Sequence, residues 1–169
     1  MNRKVLFAAL AFATLSIGNV YAAFPTTSTA TFNVKITVVN SCTVTVNDVD
    51  FGTVNSLIPV ISANSGIDNV TCTGTSPVVV SFDTGLGTYA TRTMTDGGTN
   101  FVNYNLYSLA AGGTVLGDGS PGTTTIGLTP SGGNNVNAND QFTVYGRTVA
   151  GQTVASTSYN DIITATVTF

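Results

Sequence analysis

Apolar and polar positions alternate with a period of two along most of the chain. Phe32, Val34, Ile36 and Val38 alternate with Thr31, Asn33, Lys35 and Thr37, so an extended backbone sends the apolar side chains to one face and the polar ones to the other. Further strand candidates are Cys42–Val46, Phe51–Val54, Ile58–Ile61, Ile67–Cys72, Val78–Phe82, Phe101–Leu106, Phe142–Val149 and Asp161–Phe169. Between them lie the turn clusters Asn64-Ser65-Gly66, Asp96-Gly97-Gly98, Gly112-Gly113, Gly117-Asp118-Gly119 and Ser131-Gly132-Gly133-Asn134-Asn135. No stretch carries a convincing amphipathic helix period. Short strands at this spacing predict an all-β sandwich or barrel, with no linker to divide it and no internal repeat.

Both ends of the pattern are unusual. Ala23–Ala30 is small and Thr-rich, with no large apolar residue after Phe24, and reads as a flexible leader into the Phe32–Val38 stripe. At the other end Ile163, Ala165, Val167 and Phe169 face one way on a strand with which the sequence stops. Such a strand is either the last one of a closed sandwich or a strand with an open position beside it and an exposed edge.

Residues 1–22 stand apart from this pattern. Arg3 and Lys4 precede the apolar stretch Val5 to Ile17, and Val20-Tyr21-Ala22 supplies small residues where a signal peptidase cuts. This is the layout of a secretory signal peptide, with cleavage expected after Ala22 and Ala23 as the alternative. Removing 22 of 169 residues leaves a mature chain of 147. Its only cations are Lys35, Arg92 and Arg147 against eight Asp, a net charge of −5. Three scattered cations cannot neutralise a phosphate backbone, so no nucleic-acid partner is expected. An exported chain this sparsely charged is expected to hide surface in an assembly.

Composition narrows the chemistry further. The thirty Thr and 18 Gly, with no Glu, favour strands and turns over helices. Without His there is no Ser-His-Asp or Cys-His nucleophile and no histidine metal site. Cys42 and Cys72 are the only cysteines, and in an oxidising compartment they are expected to form a structural disulfide. Closing a loop of that length contributes roughly 3–4 kcal/mol through the unfolded state.

Two motifs suggest catalysis or nucleotide binding, and both are weak. Asp83-Thr84-Gly85 follows the apolar run Val78–Phe82, as the carboxylate of an aspartic protease follows a strand. One copy per chain would require a homodimer to bring two carboxylates together, and Leu86 stands where such enzymes have Ser or Ala. A solvated Asp at a strand-end turn is the plainer reading. Gly85-Leu86-Gly87-Thr88-Tyr89-Ala90 matches a dinucleotide fingerprint, but Thr91–Gly98 does not follow it with a helix. Asp48-Val49-Asp50 cannot open an EF-hand in a chain without Glu. No cofactor and no metal are expected.

A longer series carries more weight. It runs Cys42, Phe51-Gly52, Val70-Thr71-Cys72, Arg92-Thr93-Met94, Asn103-Tyr104-Asn105-Leu106-Tyr107, Gly117-Asp118-Gly119, Thr143-Val144-Tyr145-Gly146-Arg147, Gly151-Gln152, Tyr159-Asn160-Asp161 and Thr164–Phe169. In this order the series resembles the spore coat protein U domain family, which includes subunits of archaic chaperone–usher pili. Leu116 and Ser158 depart from the family pattern, at what read as surface loops.

The resemblance implies an incomplete immunoglobulin-like β-sandwich completed by donor-strand exchange. Residues 1–22 would be the signal peptide, 23–38 a donor segment and 39–169 the sandwich domain. Phe32, Val34, Ile36 and Val38 would be the donor-strand side chains, and Ile163, Ala165, Val167 and Phe169 the C-terminal strand of the acceptor groove. The implied partners are a periplasmic chaperone, an outer-membrane usher and like subunits in a head-to-tail polymer. The implied function is that of a non-enzymatic pilus building block, exported through the periplasm to the cell surface for attachment and biofilm formation. The alternatives are a secreted coat protein or adhesin-type binding module using exposed loops such as Gly112–Thr125, and, remotely, the Asp83 protease.

Overall fold

The structure is a computed structural model that describes residues 26–54, 60–63, 68–133 and 140–169. The expected signal peptide, the strand candidate at Ile58, Ile67 and the Asn64-Ser65-Gly66 turn lie outside the described residues. Two units divide the chain, residues 1–36 and 37–169. The described part of the first unit, 26–36, is exposed throughout and forms no strand.

The second unit is built of short strands. In chain order they are β1 (Cys42–Thr45), β2 (Ile61–Ala63), β3 (Asp68–Cys72), β4 (Val78–Phe82), β5 (Arg92–Thr95) and β6 (Phe101–Tyr107). Then come β7 (Val115–Leu116), β8 (Thr123–Thr124), β9 (Ile126–Leu128), β10 (Gln141–Phe142), β11 (Tyr145–Thr148) and β12 (Ala165–Thr168). They form three sheets: β1-β3-β10, β12-β4-β9, and β2-β11-β6-β7-β8 with β5 also on β6. All ladders are antiparallel except β7 with β8.

The period-two pattern buries alternate side chains from all three sheets in one core. Val70 and Cys72 come from β3, Val78, Val80 and Phe82 from β4, Tyr104 and Leu106 from β6, Leu116 from β7, and Val144 from the link into β11. Cys42 and Cys72 face each other across the β1–β3 ladder and are joined by the expected disulfide. The bond sits at the first residue of β1, where the chain enters the sandwich.

Several expectations need correction. Phe51–Val54 forms no strand, although Phe51 packs against the core and edge-on against Tyr104. The Phe142–Val149 candidate is two strands, because Thr143 and Val144 break the ladder while Val144 turns into the core. Gly112–Thr125 is not an exposed loop throughout: it contains β7 and β8, and Leu116 is fully buried. The departure at Leu116 therefore falls in the core. β5, β7, β8 and β9 were too short or too polar to announce themselves by alternation.

A buried cation ties these pieces together. Arg92 is fully buried on β5, and burial pushes its guanidinium below the usual value. Its Nε and Nη2 donate to the Asp83 carbonyl at 3.1 and 2.6 Å, Nη2 to the Leu116 carbonyl at 2.8 Å, and Nη1 to Asn105 Oδ1 at 3.2 Å. Asn105 in turn donates to the Tyr89 and Ala90 carbonyls, and the guanidinium lies over the Tyr89 ring. The turn after β4, the entry to β5, and β6 and β7 thus share one fork of donors.

Replacing Arg92 by Ala leaves these carbonyls unsatisfied, at an expected cost of about 3–5 kcal/mol. Lys, with no planar fork, is expected to recover less than half of it. The urea midpoint of the mature chain measures both.

Candidate functional site

The second unit carries an open groove of about 1400 Å³. Its floor is the core itself: Phe82, Val102, Tyr104, Leu106 and Val144 each show a small part of their surface to it. Val49 and Phe51 rise on one side, Ile163 and Ala165 on the other. The five floor side chains are only 2–4% exposed and close the bottom of the groove.

β12 lines the groove through Ala165, and β1 leads into its wall at Val46. Among the described residues β12 pairs only with β4, and β1 only with β3. β1 and β12 approach within 8 Å, Cα to Cα, without forming a ladder. An unpaired edge carries backbone donors and acceptors ready to add a strand.

The expected C-terminal groove strand is shorter than its sequence pattern. Ile163, Ala165 and Val167 pack against the core, but only Ala165 and Val167 lie within β12, and Phe169 is 55% exposed. The four expected donor residues stand in the open, with Phe32, Val34, Ile36 and Val38 exposed by 86, 84, 87 and 74%. Val49, Phe51, Met94 and Tyr104 were missed as groove residues. Their only signal was apolar character next to polar neighbours, which does not distinguish a groove wall from a closed core.

Where the leader joins the sandwich it is tightly held. Asn40 Oδ1 accepts from the Gly74 amide at 3.1 Å, and the Ser41 amide donates to Thr73 Oγ1 at 3.0 Å. The Thr73 amide donates back to the Ser41 carbonyl at 2.9 Å. Together with the disulfide, these contacts make residues 40–42 a fixed root from which the preceding residues extend.

Asp83 sits at the other end of β4, and its geometry explains the Asp-Thr-Gly turn. Asp83 Oδ1 accepts from the Gly85 amide at 3.2 Å and from the Thr164 amide at 2.9 Å, which fastens the approach to β12. Partial burial raises its pKa, but the hydrogen bonds from Thr164 and Gly85 and the charge of Arg92 outweigh it, so the carboxyl lies below its usual value. A protease dyad needs a carboxyl that holds a proton. This one is kept ionised by backbone amides, in a joint between strands. Gly85 adopts a φ of +56°, and a side chain there would collide with Asp161, whose Oδ1 accepts from the Leu86 amide and whose Oδ2 accepts from the Tyr104 hydroxyl. Residues 88–91 then form a tight reciprocal turn, Thr88 with Thr91, where a dinucleotide site would need a helix.

Among the described residues no three His, Cys, Asp or Glu side chains gather as metal ligands, and no helix is long and apolar enough to cross a membrane.

The short, almost wholly antiparallel strands form an immunoglobulin-like sandwich beside an open groove, with the last strand, β12, paired only with β4 among the described residues. The model of the Spore Coat Protein U domain matches residues 28–166, and the chain belongs to that family. Among solved structures it is similar to a chain in the crystal structure of the CsuC–CsuE chaperone–tip adhesion subunit pre-assembly complex, from the archaic chaperone–usher Csu pili of Acinetobacter baumannii. The identity is 25% and the TM-score 0.51, over 79% of this chain and 40% of that one. This chain therefore spans about two fifths of the length of that one. None of the curated proteins matches the chain.

The Asp83 joint has a pH signature. A carboxyl depressed on folding contributes stability that is present above its unfolded value near 3.8 and is lost as pH falls through the lower folded value. Asp83→Ala is expected to cost about 1 kcal/mol at neutral pH, allowing for solvent screening, and less as pH falls below 3.8. Urea midpoints of the two chains across this range check the convergence.

Proposed function

We propose that this chain is a structural, non-enzymatic subunit of a chaperone–usher pilus that polymerises by donor-strand exchange. The observation that carries the reading is the presence of two unlike surfaces within one chain. An exposed apolar stripe, costly to leave in water, occurs together with a groove over the core beside a strand, β12, that is paired on one edge only among the described residues. Burying Phe32, Val34, Ile36 and Val38 of one copy in the groove of the next is worth roughly 6–12 kcal/mol, before any backbone ladder is counted. The unpaired edges of β12 and β1 would supply that ladder.

The contact joins unlike surfaces, so it repeats head to tail and yields a fibre. On this reading residues 23–38 are the donor segment and 39–169 the acceptor domain. A signal peptide at 1–22 delivers the chain to the periplasm, where a chaperone occupies the groove until an outer-membrane usher exchanges it for the next leader. The Csu complex, in which a tip adhesion subunit is held by a chaperone, supports the chaperone step by analogy. Surface attachment and biofilm formation are the roles such a fibre would serve.

A mature chain lacking residues 23–38 is expected to form no multimers, yet to bind a peptide spanning Thr26 to Asn40. Ile36→Asp in the full chain is expected to abolish the heat-resistant ladder of multimers on a gel. Fibres formed by the truncated chain would refute the donor assignment.

A further inference from the structure

We propose that Lys35 steers the leader of one copy into the groove of the next by meeting Asp48 and Asp50 on the groove's rim. This rests on the donor-strand reading and adds to it a determinant of rate and register. Asp48, Val49, Asp50 and Phe51 all line the groove, and their exposure alternates: the two acids are exposed, while Val49 and Phe51 pack against the core. The leader has the same alternation, with Lys35 between Val34 and Ile36. A leader laid beside this strip with its apolar side chains inward places Lys35 on the same outer side as Asp48 and Asp50. Side chains on one face of adjacent strands lie about 5 Å apart, or about 7–8 Å on the diagonal, within the span of a lysine.

The charge distribution singles out the same pair of surfaces. The charged groups lining the groove are Asp48, Asp50 and Asp161, with no Lys or Arg among them. Asp161 is engaged by the Tyr104 hydroxyl and the Leu86 and Ile162 amides, and Asp50, though exposed, accepts from the Gly52 amide through Oδ1 at 2.7 Å. Residues 41–169 contain two cations and eight aspartates, a net charge of −6, so two such bodies repel each other. Of the two cations, Arg92 is buried, and Arg147 donates to the Ala111 carbonyl and lies against the Tyr107 ring. Lys35 is exposed and is the only charged residue between Ala23 and Asn40. The approaching leader therefore offers one positive side chain, twelve residues from the α-ammonium of the mature N-terminus, to a rim that carries only negative ones. A solvated pair of this kind adds little to affinity, and its effect falls on the association rate and the salt dependence.

Light scattering of the full mature chain, at about 10 mM and about 1 M salt, reads this out, since the screening length falls from about 30 to about 3 Å between them. At low salt Lys35→Glu is expected to slow assembly about tenfold and Lys35→Gln about threefold, with both differences gone at high salt. Lys35→Glu combined with Asp48→Lys and Asp50→Lys is expected to recover most of the rate. Because the double lysine variant can misfold, a second arm uses Asp48→Asn with Asp50→Asn, to which Lys35→Gln should add no further slowing. Equal low-salt rates for the wild type and Lys35→Glu, or independent losses in the second arm, would overturn the proposal. Ile36→Asp separates this from the parent reading: it should block assembly at both salts, and if it does not, donor-strand exchange itself fails whatever Lys35 does.

Discussion

β12 is hydrogen-bonded to β4 along one edge, and among the described residues its other edge has no partner, while the core beside it opens into a groove. An apolar floor with unused backbone donors and acceptors at its side is the constraint on which the rest depends. Such a surface drives association through burial of apolar area, and its direction comes from strand pairing. The leader carries the complementary defect, four large apolar side chains almost fully in water. Donor-strand exchange, as proposed, would relieve both.

An open groove lacks the packing that normally keeps a sandwich in shape, and polar joints take over part of that task. Arg92 gathers the turn after β4 with β6 and β7. Asp83 holds the approach to β12 through the Thr164 amide, and Asp161 ties Tyr104 on the groove floor to the Leu86 turn. Buried or half-buried groups of this kind fix geometry by requiring every donor to find its acceptor. Tyr104 shows the effect on ionisation: burial, and then the Asp161 carboxylate beside it, drive its phenol far above the usual range, so it remains a neutral donor.

The N-terminal root complements this arrangement. Asn40, Ser41 and the Cys42–Cys72 bridge fasten the chain to β3 and the Thr73-Gly74 turn that follows it. Residues 26–39 before them are exposed and form no strand, so the chain passes within a few residues from a cross-linked strand to an exposed segment. In the proposed fibre this boundary is where one subunit ends and its hold on the next begins. The sparse charge of the mature chain follows the same division, with acids on the body and one lysine on the leader.

Much of this was legible in the residues. Alternation placed Val78–Phe82 and Phe101–Leu106 as strands, since a half-buried strand must repeat every two residues, and the ordered series of short motifs pointed to the family. The exposure of Phe32–Val38 could be suspected but not established, because an edge strand of a closed sandwich has the same pattern. Leu116 and Arg92 were beyond sequence reasoning: a Leu before Gly-Asp-Gly reads as a loop, and an Arg reads as surface, until the fold brings three carbonyl-bearing segments around them. Phe51 likewise has the pattern of a strand but serves as a groove wall. Local periodicity is set by the backbone of each segment and is therefore written in the sequence. Which apolar faces are covered and which remain open depends on contacts between distant segments, and only the tertiary structure decides it.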